Sequence, residues 1–181
     1  MSGDNRSGLK PAVEDPWVEL RKLTRARVAL GHAGASLPTD AHLSFQLAHA
    51  KARDAVHTVL DPDPIIEGLD RLGLSHCQVA SQAPDRVTYL TRPDLGRRLS
   101  SASVAALTSL ADAAADTTPD LVVVLADGLS ARAVQDHGLA MVERLQAITK
   151  EEGWSLAPVV VASQARVALG DEIAECLRAT A

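Results

Sequence analysis

Apolar residues occur along the chain in continuous runs and in helical repeats. The run Leu121-Val122-Val123-Val124-Leu125-Ala126 lies between Asp120 and a turn signal, Asp127-Gly128. A second run, Ala157-Pro158-Val159-Val160-Val161-Ala162, follows later. Continuous Val/Leu runs read as strands covered on both faces, as parallel strands are. Between the two runs, Ser130 caps a helical repeat over residues 131–150. Val134, Leu139, Val142, Leu145 and Ile148 form its stripe, and Gly153 ends it. Strand, crossover helix and strand make a right-handed βαβ unit. A last helix opens at Asp171-Glu172-Ile173 and reaches Ala181. In open parallel sheets, ligands sit beyond the carboxyl ends of the strands. Function is therefore sought at residues 127–130 and 163–171.

The preceding residues read mainly as helix. Residues 1–14 are a polar leader with the composition of disorder. Asp15 and Pro16 suit a helix start. Trp17, Leu20 and Leu23 form its apolar stripe, with Trp17 as core anchor. Residues 31–38 are a Gly- and Pro-bearing loop. Thr39 caps a long helix towards Leu60, with Leu43, Phe45, Leu47, Ala48, Ala50, Ala52, Val56 and Val59 buried. His42, Gln46, His49, Arg53 and His57 form its polar side. Asp61-Pro62-Asp63-Pro64 breaks it, and residues 65–72 form a short helix stopped by Gly73. Residues 76–80 and 86–90 pair as a hairpin. Thr91-Arg92-Pro93-Asp94 opens a third long helix carrying Leu95, Leu99, Ala102, Ala106 and Leu110. Arg97-Arg98 on it is a solvated pair or a contact for an anionic group or partner chain.

These elements predict an α/β chain with three parts. They are a leader (1–14), a helical domain with a small hairpin (15–116) and an incomplete parallel sheet with flanking helices (117–181). The polar linker 116–120 marks the boundary. Two strands alone make an unstable sheet, and their edges invite pairing. The final helix reads as a crossover to a further strand. Either the chain is part of a longer one or a partner completes the sheet.

Composition narrows the function. Aromatics are only 2% of 181 residues, so Ala, Val and Leu must fill the core. The net charge is −5 and the 18 Lys and Arg are dispersed. That argues against a nucleic-acid partner, which needs clustered cations. No apolar run approaches the ~20 residues of a membrane span, and the start lacks a secretory signal. The expected location is cytoplasmic, with Cys77 and Cys176 reduced. Cys77 reads as an inert small hydrophobe.

Neither cysteine has metal-site spacing. Arg53 interrupts the i,i+4 series between His49 and His57, so no metal ligands are assigned. GxGxxG, GxxxxGK[ST] and GxSxG are all absent. Asp127 lacks an activating partner in sequence, and residues 127–130 read as a turn and cap. Asp40-Ala41-His42 begins like the Asp-x-His-x-x-Gly signature of some cobalamin proteins. Phe45 stands where glycine is required, on a helix, so the match is rejected. No catalytic residue is assigned.

Several segments nevertheless match one family in order. They are Glu19-Leu20-Arg21-Lys22-Leu23-Thr24-Arg25-Ala26-Arg27-Val28, residues 45–56, and Tyr89-Leu90-Thr91-Arg92-Pro93-Asp94-Leu95-Gly96-Arg97-Arg98-Leu99. Ala126-Asp127-Gly128-Leu129-Ser130 and Arg166-Val167-Ala168-Leu169-Gly170-Asp171-Glu172-Ile173 continue the match. The chain resembles the small (light) subunit of ethanolamine ammonia-lyase and is expected to lack that subunit's C-terminal part.

The resemblance implies a helical N-terminal domain, a Rossmann-like C-terminal domain and the cofactor adenosylcobalamin. It implies a large barrel subunit that holds ethanolamine and carries out its conversion to acetaldehyde and ammonia. The cofactor supplies the homolytic chemistry, and protein supplies position and water exclusion. Val167, after Arg166, is the cobalamin contact that the resemblance carries over. The family's other contacts, a glutamate and a cysteine, correspond to positions after Ala181. Ala165 and Ala174 stand where the family usually has glycine, and Ala165 is expected to hinder a positive-φ turn. The isolated chain is therefore expected to be inactive and to bind cobalamin weakly. The alternative is a non-enzymatic α/β binding or assembly module that kept the scaffold without the site. Such enzymes can be packaged in bacterial microcompartments, although no amphipathic targeting helix is evident here.

Overall fold

The computed structural model describes residues 17–114, 118–128 and 130–181. The leader, the Asp15-Pro16 helix start, residues 115–117 and Leu129 lie outside the described residues. The chain divides into two compact units, residues 1–54 and 55–181.

In the first unit, a 3-10 turn spans Val18–Lys22. Trp17 is 66% exposed and Leu23 83%, so the expected core anchor at Trp17 is corrected. Arg21 closes the following loop by donating to the carbonyls of Val28 and Ala29. Helix α1, Thr39–His57, begins in this unit, ends with residues 55–57 of the second, and has no buried residue. Phe45, Leu43 and Leu47 are all half-exposed or more, so its expected buried side is corrected too. At about 100° per residue, Leu43, Leu47 and Ala50 share one side, while Phe45, Ala48 and Ala52 lie opposite. No single neighbour can cover both.

The second unit is built on a parallel sheet. Strand β1 (His76–Ala80), strand β2 (Val124–Ala126) and strand β3 (Val159–Ser163) stand in the order β1-β3-β2. His76 pairs with Val159 and Ala80 with Ser163. On the other side of β3, Val124 pairs with Val160 and Ala126 with Ala162. The hairpin expectation is thus wrong. Residues 76–80 pair with the distant β3, and Arg86–Thr91 is helix α3. Asp85 decides the local choice, because its side chain accepts from Thr88 N at 2.8 Å and caps a helix. The expected two-strand sheet therefore gains a third strand.

Helices cover both faces of this sheet. α2 (Asp63–Arg71) and α5 (Ala131–Glu152) enclose Val159 and Val161 with Ile65, Leu69, Leu125 and Val142. The opposite face holds Val160 and Ala162. It packs with Leu107 of α4 (Ser101–Ala113) and Ile173 of α6 (Leu169–Leu177). Alternate β3 residues thus feed the two cores, as a two-residue period requires. The third long helix expected from Thr91 is regular only from Ser101, where Ser100 accepts from Ser103 N. Gly153 ends α5 with φ +72, a conformation that L side chains rarely adopt.

After α6, the chain returns to the outer side of β2. Ala181 N donates to Asp120 O at 3.0 Å, and Val122 N donates to Ala181 O at 2.8 Å. This bracketing of Leu121 is parallel-strand bonding. Among the described residues no strand follows α6, and the sheet keeps three strands.

Candidate functional site

The carboxyl ends of the three strands bring Ser81, Asp127 and Gln164 to one rim. Asp127 follows β2 and is 1% exposed. Its Oδ2 accepts from Gln164 N at 2.8 Å, and its Oδ1 accepts from Ala165 N at 2.9 Å. One carboxylate therefore ties the exits of two strands together. Consecutive donors also suit the left-handed backbone at Gln164, where φ is +53. The positive φ falls on Gln164 rather than Ala165, so Ala165 does not impede this turn. Its small side chain is buried instead.

Arg86, at the start of α3, supplies the opposing charge. Its Nη1 lies 3.5 Å from Asp127 Oδ2 and 3.5 Å from Gln164 Oε1. Its Nη2 donates to Gly128 O at 2.9 Å, and Nε donates to Val56 O at 2.7 Å. A buried ion pair costs more in desolvation than it returns unless hydrogen bonds satisfy the remaining groups. Here backbone carbonyls do so. Arg86 and Tyr89 share a helix face because they are three residues apart. The Arg86 guanidinium lies 4.5 Å from the Tyr89 ring centroid.

Tyr89 also supports the loop after β3. Its hydroxyl donates to Ala165 O at 3.4 Å, and its carbonyl accepts from Arg166 Nη2 at 2.9 Å. The Arg166 guanidinium lies 4.6 Å from the same ring centroid. Arg166 N donates to Gly96 O at 2.8 Å. A Cβ on Gly96 would come within 3.0 Å of the Tyr89 ring and 3.2 Å of Arg166 Cγ. Glycine permits this close approach.

Beyond these anchors the chain emerges at Val167, which is 98% exposed. Its carbonyl accepts from Gly170 N at 3.0 Å in the turn that starts α6. The sequence-assigned residue therefore sits four residues beyond Ser163, at the exit of the central strand. An exposed β-branched side chain on a backbone fixed from several sides can meet an apolar ligand edge with little ordering cost. Val167 is thus open to an apolar ligand or a partner surface.

A separate open groove runs beside α6, lined by Gln82, Arg98, Leu99, Glu172 and Cys176. Arg98 donates to Glu172 at 2.6 Å, which identifies an anionic partner within the chain. Leu99 N also donates to Glu172, at 2.7 Å. These bonds, the Leu99 amide foremost, hold the Glu172 carboxyl below its ordinary range. Burial pushes the Cys77 thiol up; burial, then Glu175 and Glu172, does so at Cys176. Neither cysteine has the environment of a reactive thiolate. Among the described residues, no three His, Cys, Asp or Glu side chains form a potential metal group. No described helix is long and apolar enough to cross a membrane.

Sequence reasoning assigned Val167 and read the turn at Asp127 but did not single out Arg86, Tyr89 or Gln164, which the structure brings to this rim. The missed signal was Asp85 with Thr88 three residues on, a cap that puts Arg86 and Tyr89 on one face.

Comparison with known proteins identifies the lineage. The model of the ethanolamine ammonia-lyase light chain family (EutC) matches residues 14–181. An ethanolamine ammonia-lyase small subunit from Azotobacter vinelandii is 53% identical over 175 residues, covering 96% of this chain and 64% of that protein. One from Pseudomonas aeruginosa is 54% identical over 168 residues, covering 93% of this chain and 61% of that protein. The chain thus spans less than two thirds of the length of these relatives. With this match running through both units, the chain belongs to the ethanolamine ammonia-lyase light chain family.

Proposed function

We propose that the chain is the cobalamin-interface light subunit of an adenosylcobalamin-dependent ethanolamine ammonia-lyase. The observation that carries this reading is Val167, 98% exposed on the anchored loop after β3. The loop's apolar side chain and backbone form one edge of the cofactor site. A large barrel subunit supplies the substrate site and the remaining enclosure. Adenosylcobalamin, when bound, supplies homolytic cobalt–carbon chemistry for converting ethanolamine to acetaldehyde and ammonia. This chain's contribution is orientation of the corrin and exclusion of water. Its Rossmann-like parallel layer brings the loop to the rim where such sheets bind ligands. The complex is placed in the cytoplasm, where a bacterial microcompartment can enclose enzymes of this kind.

Co-expression with a large subunit tests the reading. The expected result is a co-purified pair that releases ammonia from ethanolamine only when adenosylcobalamin is added. The isolated chain should bind cobalamin weakly and release no ammonia. A co-purified pair that is folded but neither binds cobalamin nor releases ammonia would favour an assembly module instead.

A further inference from the structure

We infer that Asp127 is a positioning residue for the cobalamin contact and acts through the Gln164–Ala165 backbone on Val167. This inference rests on the proposed contact at Val167 and adds the device that holds it in place. Asp127 is almost completely buried, with 1% exposure, so solvent does not compete for its oxygens. Its two oxygens take the two consecutive amides at the β3 exit, Gln164 N and Ala165 N. Gln164 is left-handed, with φ +53, and the loop direction changes there. Two residues past Ala165 comes the exposed Val167. The same carboxylate faces Arg86, whose other donors fix Gly128 and Val56. Gly96 and Tyr89 hold Arg166 from the other side.

The chemistry requires a carboxylate. A two-oxygen acceptor satisfies both amides together, whereas an asparagine side chain offers one acceptor and turns a donor towards the other amide. Charge on the acceptor also strengthens both bonds. Asp127→Asn therefore preserves size and loosens the loop. Because the loop is prepared before any ligand arrives, loosening it adds an ordering cost to binding. The effect on affinity should run through Val167 and disappear when Val167 has been truncated.

The test is a double-mutant cycle on the chain co-purified with a large subunit, titrated with hydroxocobalamin by absorbance. Thermal melting of each variant checks folding. Val167→Ala is expected to raise Kd by about tenfold, the scale of lost valine methyl contacts. Asp127→Asn is expected to raise Kd by up to about tenfold in the native background. In the Val167→Ala background it should raise Kd by less than about threefold. If Val167→Ala leaves Kd unchanged, the proposed contact is wrong and this inference falls with it. If Val167→Ala weakens binding while folded Asp127→Asn does not, only the positioning role is overturned. Equal effects of Asp127→Asn in both backgrounds also overturn it. If Asp127→Asn does not fold, Asp127→Glu takes its place in the cycle. It keeps the charge but lengthens the side chain, so its oxygens cannot hold the Gln164 and Ala165 amides in the same geometry, and the same outcomes apply.

Discussion

Helices α1 and α5 have 19 and 22 residues, and both carry apolar residues at helical spacing. Yet α5 buries Ala131, Gly138, Val142 and Thr149, whereas α1 buries none. Val134, Leu139 and Val142 of α5 form one stripe on the sheet-side core with Val159 and Val161, while Met141 and Ile148 of the same helix stay exposed. The apolar positions of α1 fall on two opposite sides. Helical periodicity therefore establishes that a helix forms, but one-sidedness establishes that it can be buried by one neighbour.

Substitutions can break or sharpen this contrast. The largest effect is expected on the α5 side. Leu69→Ala removes a side chain with 0% exposure from the core that α2 and α5 share. It should cost about 2–5 kcal/mol, read by urea denaturation. Next comes Glu172→Gln at the start of α6, expected to cost about 1–2 kcal/mol at neutral pH, lowered by the exposure of Arg98. The sign follows from its depressed pKa. Its stabilisation is present above the ordinary carboxyl value of 4.5 and is lost as pH falls through the lower folded value. In the native chain, stability should fall through that acid window. The glutamine variant should lack this component of the fall. Ser130→Ala removes the cap of α5, where Ser130 Oγ accepts from Ala133 N at 3.2 Å. It should cost about 1 kcal/mol by thermal melting. The smallest change belongs to α1: Leu47→Ala, at a site 58% exposed, should shift stability by less than about 0.5 kcal/mol. A large loss there would show that α1 is covered and would end the contrast.

The legibility of the fold follows the same logic. The β3 run was readable because Val159, Val160, Val161 and Ala162 are buried whichever face they point to. α5 was readable from its single stripe, its serine cap and its terminal glycine. β1 was recognisable as a strand but not placeable. His76-Cys77-Gln78-Val79-Ala80 carries no label for its partner, and parallel pairing joins residues distant in sequence. Residues 86–91 were misread because Val87, Tyr89 and Leu90 satisfy strand and helix patterns alike. The capping aspartate was the deciding local signal. At the candidate site, Val167 came from a family likeness, and no periodicity singles it out. Asp127 was visible only as turn chemistry, since burial and partnership with Arg86 arise across sequence separations that local patterns do not encode.

By itself, the sequence determined where strands and helices could form, where caps and glycines end them, and to which family the chain belongs. Tertiary structure alone decided that β1 joins β3, that Asp127 fastens the β3 exit, and that Trp17 and α1 stay exposed. The division has a physical cause. Backbone preferences act within a few residues, whereas burial and charge pairing depend on what the folded chain brings alongside.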